Sequence, residues 1–156
     1  MQPSAPSYDE RLTAPGSWWV IAALLGISGG LVMFPLGNVA LLAGLIVAGA
    51  LAAVGVSSYG SARIRVVAGS LVAGEARIPV TALGAPEVLD AEEARAWRTY
   101  KADPRAFMVM RGYVAEAVRI EVTDPADPTP YVYLSTRDPK ALVAALEAVR
   151  AEARES

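Results

Sequence analysis

Charged side chains stop at Arg11 and do not return until Arg63, leaving 51 consecutive uncharged, mostly apolar residues. A bilayer's hydrocarbon core takes roughly 20 apolar residues per helical crossing, so the run is long enough for two crossings and too short for three. Near its middle, Pro35, Leu36, Gly37 and Asn38 interrupt the pattern with strong turn chemistry. The spacing predicts two antiparallel transmembrane helices, over about Ser17–Phe34 and Val39–Ser58, joined by that turn. Trp18 and Trp19 at the start of the first and Tyr59 at the end of the second then fall at one interface, as an aromatic belt. Ala22, Gly26 and Gly30 recur every four residues on the first helix, and Ala40, Gly44, Ala48 and Ala52 do so on the second. Such faces allow close approach of two backbones. They fit packing within one hairpin, or a homodimer seam through Gly26, Gly30 and Gly44.

Beyond the run the period changes to two. Arg63–Val66 alternates polar with apolar, Gly69-Ser70 is a turn signal, Leu71–Ala73 is a short strand, Gly74-Glu75 a second turn, and Ala76–Val80 a third strand. Asp90 to Tyr100 reads as a helix with Asp90 as its cap and Glu92 and Glu93 in its first turn. Strand character returns at Phe107–Met110 and Ala117–Thr123. The prolines of Asp124–Pro130 fix a stiff loop, and Tyr131–Thr136 is a further strand. Thr136 or Asp138 caps a final helix with Pro139 in its first turn and an apolar stripe of Leu142, Ala145, Leu146 and Val149. The chain therefore divides into an N-terminal segment 1–16, a helical hairpin 17–59 and a globular domain 60–156. The domain is of the α+β class, a bent or barrel-like antiparallel sheet with a C-terminal capping helix.

Orientation follows from the flanking cations. Arg11, Arg63 and Arg65 lie on the side of the termini and the turn has none, so both termini are expected in the cytoplasm. Asp9 and Glu10 outweigh Arg11 ahead of an apolar run too long for a signal peptide, so the hairpin is expected to be retained. Neither span holds a charged side chain, which removes support for an ion or proton pathway. The whole chain carries 14 Lys and Arg against 16 Asp and Glu. Near-neutrality speaks against nucleic acid and against a polybasic lipid-surface switch, both of which need clustered cations. With no cysteine and no histidine, thiolate or imidazole metal sites and an imidazole base are excluded, and neither a metal nor a cofactor is expected.

Trp18-Trp19 following Glu10-Arg11-Leu12, Arg77-Ile78-Pro79-Val80, Asp103-Pro104-Arg105-Ala106-Phe107, and Asp127-Pro128-Thr129-Pro130-Tyr131 running into Leu134-Ser135-Thr136-Arg137 together resemble a family of actinobacterial membrane proteins of unknown function, family 3093. The resemblance covers nearly the whole chain and departs from the family pattern at Arg111-Gly112-Tyr113-Val114. It implies actinobacterial origin and a plasma-membrane address, and brings no catalytic residues. The order of elements also resembles the pleckstrin-homology superfold.

Ser135, Thr136, Arg137 and Asp138 are the most suggestive polar cluster, because hydroxyls and a guanidinium at a helix start can hold an anion. Capping accounts for the same residues. Arg111 and Tyr113 can join the cluster across the sheet, and Tyr131 and Tyr133, sharing a strand face, can line a groove or pack on the sheet. Asp124 and Asp127 lack the register of a calcium loop, and Glu92 and Glu93 diverge around a helix. No nucleophile elbow, phosphate loop, dinucleotide fingerprint or zinc-protease motif occurs, so no enzyme activity is expected. Two functional classes fit. One is a membrane-anchored binding or scaffolding module engaging a membrane or cytoplasmic protein. The other is an accessory subunit of a membrane enzyme or transport complex, packing through the hairpin.

Overall fold

Tyr8, Glu10 and Leu12 alternate with Asp9 and Arg11, and in the computed structural model, which describes residues 7–155, this segment is a strand, β1 (Tyr8–Leu12). Its partner is β2 (Ala62–Val67), on the far side of the apolar run, with Tyr8 opposite Val66 and Leu12 opposite Ala62. The chain clusters into two units, Thr13–Ser61 and the residues on either side of it. Within the N-terminal segment, Tyr8–Leu12 is thus a sheet strand of the globular unit. The sequence reading sets it apart because a single short strand with no adjacent turn gives no hairpin signal.

The first unit is a pair of helices, α1 (Gly16–Met33) and α2 (Asn38–Tyr59), joined by a single 3₁₀ turn at Phe34–Leu36. Both are long and apolar enough to cross a membrane. Gly37 follows the turn at φ 108°, a conformation that favours glycine. Trp18 stacks on Tyr59 with ring centroids 5.2 Å apart. Ala22, Gly26 and Gly30 are buried. A Cβ added at Gly26 would meet the Gly49 Cα at 3.2 Å, and one at Gly44 would lie 2.5 Å from the Gly29 carbonyl oxygen. Gly26, Gly30 and Gly44 therefore approach the other helix of their own hairpin, the intrachain packing that their spacing allows. The outward surface is apolar: Leu31 is 65% exposed and Val39 83%, with nothing in the unit to cover them.

In the globular unit, β1 and β2 continue into β3 (Ser70–Ala73) and β4 (Ala76–Pro79), giving an antiparallel sheet in the order β1-β2-β3-β4. Val67 pairs with Ser70 across Ala68-Gly69, so the first turn falls one residue earlier than its sequence signal. Both turn residues have positive φ, 47° at Ala68 and 71° at Gly69, the type I′ geometry that matches strand twist. A short 3₁₀ turn leads into β5 (Leu83–Leu89), which the sequence reading leaves without an element because Gly84 and Pro86 obscure its alternation. There follow α3 (Ala91–Trp97), β6 (Phe107–Val109), β7 (Ala117–Val122), β8 (Tyr131–Ser135) and α4 (Pro139–Glu155).

The second sheet runs β5-β7-β8-β6, and β6 lies parallel to β8. An all-antiparallel sheet, as the sequence predicts, is therefore corrected to a mixed one: α3 and its following loop carry the chain from one edge strand, β5, to the other, β6. The inner faces of both sheets and the stripe of α4 share one core, with Leu12, Ile64, Val66, Leu71, Val132, Leu134 and Leu142 fully buried. Leu89, Ala94, Ala117, Tyr131 and Tyr133 form a second core on the other face of the second sheet, beneath α3. Strand β8 is consequently buried along its whole length.

Gly44→Leu forces the two helices apart, whereas Gly55→Leu, where an added Cβ meets nothing within 4 Å, leaves them in place. Protease resistance of the hairpin in a micelle is expected to fall for Gly44→Leu and to match wild type for Gly55→Leu.

Candidate functional site

The strongest anion-holding arrangement in the sequence, at the start of α4, is already occupied by a side chain of the protein. The Glu10 carboxylate accepts from the Thr136 hydroxyl at 2.6 Å and the Tyr8 hydroxyl at 2.7 Å on one oxygen, and from the Arg137 backbone N–H at 2.9 Å on the other. Tyr8 and Thr136 hydroxyl oxygens lie 3.0 Å apart. Burial pushes the Tyr8 phenol well above its ordinary range. The node links residues more than a hundred positions apart, tying β1 to the β8–α4 junction.

Each residue of the cluster has a second task. Asp138 is the N-cap of α4, its Oδ1 accepting from the Ala141 N–H at 3.0 Å. Thr136 Oγ1 accepts from the Asp138 N–H at 3.1 Å. Ser135 is buried, and its Oγ accepts the Arg111 N–H at 3.1 Å. Tyr113 donates its hydroxyl to the Leu12 carbonyl at 2.9 Å, at the end of β1. The Arg137 guanidinium sits 5.8 Å from the Tyr113 ring centroid. Arg111 thus meets Ser135 and Tyr113 meets Arg137, a juxtaposition the sequence leaves open, and Tyr113 and Arg137 both reach β1.

Tyr131 and Tyr133 do not join them at a surface. Tyr133 is fully buried and donates to the Ala94 carbonyl of α3 at 3.1 Å, while the Tyr131 hydroxyl accepts the Asp103 N–H at 2.9 Å. Burial raises the Tyr133 phenol above its usual pKa. Of the two readings of Tyr131 and Tyr133, sheet packing fits: α3 covers the face they share, and both fasten the second core, while Ser135 lies apart from it on the Arg111 N–H. Beside them Arg119 stacks 4.2 Å from the Trp97 ring and pairs with Glu87 and Glu121 at 2.9 Å each.

The two aspartates of the proline-rich loop close local turns, Asp124 accepting from the Ala126 N–H at 2.9 Å and Asp127 from the Thr129 N–H at 2.8 Å. The Thr129 N–H holds the Asp127 carboxyl below its usual pKa. Glu10 and Tyr8 are the members of the node that sequence reasoning misses. Their signal is present, a carboxylate and an aromatic two residues apart and in phase with Leu12, and it becomes legible only when 8–12 is read as a strand.

The chain belongs to the family described as protein of unknown function (DUF3093), whose match spans residues 7–146. No curated protein and no solved structure matches it. The matched span begins with β1 and includes every residue of the Glu10 node.

Glu10→Ala strips the Thr136 hydroxyl and the Arg137 N–H of a charged acceptor and is expected to lower stability by about 2–3 kcal/mol. Arg137→Ala retains the backbone donor to Glu10 and is expected to cost less than Glu10→Ala. Unfolding of the two variants in a neutral micelle checks that order.

Proposed function

We propose that this protein is a membrane-anchored, non-catalytic binding or scaffolding module, held by a two-helix hairpin at the cytoplasmic face of an actinobacterial plasma membrane. The observation that carries this reading is the pairing of Leu12 with Ala62. Because the chain leaves the sheet and returns to it at adjacent positions, any spans between them must be even in number, and both ends of the globular unit lie on one side. The flanking arginines Arg11, Arg63 and Arg65 favour the cytoplasm as that side. Two four-stranded sheets with a C-terminal helix support a PH-like arrangement, from which the parallel β6–β8 pair departs.

A second reading is favoured by a groove of about 370 Å³ on the hairpin, lined by Trp19, Ala22, Gly26, Ile27, Leu45 and Gly49 among others. In that reading the protein is an accessory subunit of a membrane enzyme or transport complex, and the groove takes a helix of the larger assembly.

Reporters fused before residue 1 and after residue 156 are expected to give cytoplasmic signals from both, and a signal from the opposite side at either end contradicts the anchored-module reading. In the same cells, a photo-crosslinking residue at Tyr100 or Met110, exposed apolar positions of the globular unit, is expected to capture a partner. Capture from Ile27 alone favours the accessory-subunit reading.

A further inference from the structure

The four arginines at positions 11, 63, 65 and 77 are scattered along the sequence, and sheet register gathers them. On β1–β4 the residues Leu12, Ile64, Val66, Leu71 and Ala73 are buried, so the alternate positions form the opposite, outer face. There Arg11 lies opposite Arg63, and a cross-strand row runs Asp9, Arg65, Val72, Arg77. Directly opposed side chains in such a sheet are about 5 Å apart. Asp9 accepts from Arg63 through both carboxylate oxygens, one of these bonds being 2.7 Å, and the bond holds the Asp9 carboxyl below its usual pKa. Among the described residues Arg11, Arg65 and Arg77 have no ion pair. Glu10, beside Arg11 in sequence, is in phase with Leu12 on the inner face and is held by Thr136 and the Arg137 N–H, and Glu75 lies in the turn between β3 and β4, two residues before Arg77. The strands of this face therefore carry four arginines against one aspartate, with like charges opposed at Arg11 and Arg63, an arrangement that a bound anion relieves.

Chain connectivity bounds how far two of these arginines can lie from the apolar helices. Arg11 stands five residues before α1 and Arg63 four residues after α2, so at about 3.5 Å per residue they can lie no further than about 18 Å and about 14 Å from the helix ends. We propose that the outer face of the β1–β4 sheet binds anionic phospholipid headgroups, with Arg11, Arg65 and Arg77 as the headgroup-binding side chains and Arg63 held in register by Asp9. The sequence reading discounts a lipid-surface site because no local cluster of cations exists; the cluster is built by strand pairing. Guanidinium groups suit this task, since each presents a planar fork of donors to phosphate oxygens. The inference rests on the membrane-anchored reading and adds to it a preference for lipid charge.

The test uses the full-length chain purified in a neutral maltoside micelle and titrated with phosphatidylglycerol or phosphatidylcholine of the same acyl chains, with retained lipid counted by native mass spectrometry. Wild type is expected to retain phosphatidylglycerol in preference to phosphatidylcholine, and the preference to fall as sodium chloride rises from about 50 mM to about 500 mM. The variant Arg11→Gln, Arg65→Gln, Arg77→Gln is expected to lose the preference by roughly fivefold per arginine, the equivalent of about 1 kcal/mol each. A charge-matched control, Arg95→Gln, Lys140→Gln, Arg154→Gln, is expected to behave as wild type. Equal retention of the two lipids, a salt-independent preference, equal loss in variant and control, or an acidic protein co-purifying on this face in place of lipid overturns the proposal. Should the triple variant fail to fold, the salt dependence of wild type decides. A chain that stays in solution without detergent refutes the anchored reading itself, whereas one that needs detergent and shows no lipid preference refutes only this surface.

Discussion

Five residue pairs between β1 and β2 hold together two pieces of chain that the apolar helices separate, and the other arrangements in the molecule follow from that closure. An antiparallel ladder fixes not only which strands meet but which faces their side chains take, since a slip of one residue would turn every side chain over. With Leu12 opposite Ala62, the inner face receives Tyr8, Glu10 and Leu12, and the outer face receives Asp9 and Arg11. The first set completes the core and the junction with α4. The second set completes the arginine surface. A strand of five residues thus serves the hairpin, the core and the outer face at once.

The edge position of β1 explains why it is fastened by side chains as well as by its ladder. An edge strand has hydrogen bonds on one side only and is the element of a sheet most easily lost. Here β1 is also held by Glu10 bound to Thr136 and the Arg137 N–H, and by Tyr113 bound to the Leu12 carbonyl. Taking a carboxylate partly out of water is costly, and the cost is offset only when its oxygens find several donors. The residues that look like a ligand site in the sequence are those donors. The carboxylate they hold belongs to the chain itself.

Much of the architecture was legible from pattern. The hairpin, its Pro35–Asn38 turn, the Asp90 cap, the amphipathic α4 and most strands follow from local periodicity and local punctuation, which one sequence carries in full. What was not legible depends on pairing between distant segments. Strand β1 is too short to announce itself, β5 is masked by Gly84 and Pro86, and nothing local to Tyr131 or Tyr133 shows that α3 covers them. The arginine face belongs to the same class: positions 11, 63, 65 and 77 become neighbours only through register. The polar character of Arg111, Tyr113, Ser135 and Arg137 is visible in the sequence, while their proximity and the Glu10 carboxylate bound to Thr136 and Arg137 are not.

If closure of β1 on β2 makes the globular unit complete in itself, the apolar helices are an insertion between two paired strands. Replacing residues 13–61 by Asn-Gly converts β1 and β2 into an ordinary two-residue hairpin. The direct measurement is the solubility and thermal unfolding of that shortened chain in aqueous buffer. A soluble monomer with one cooperative transition is expected. An aggregated or unfolded product, or one that still requires detergent, would contradict it.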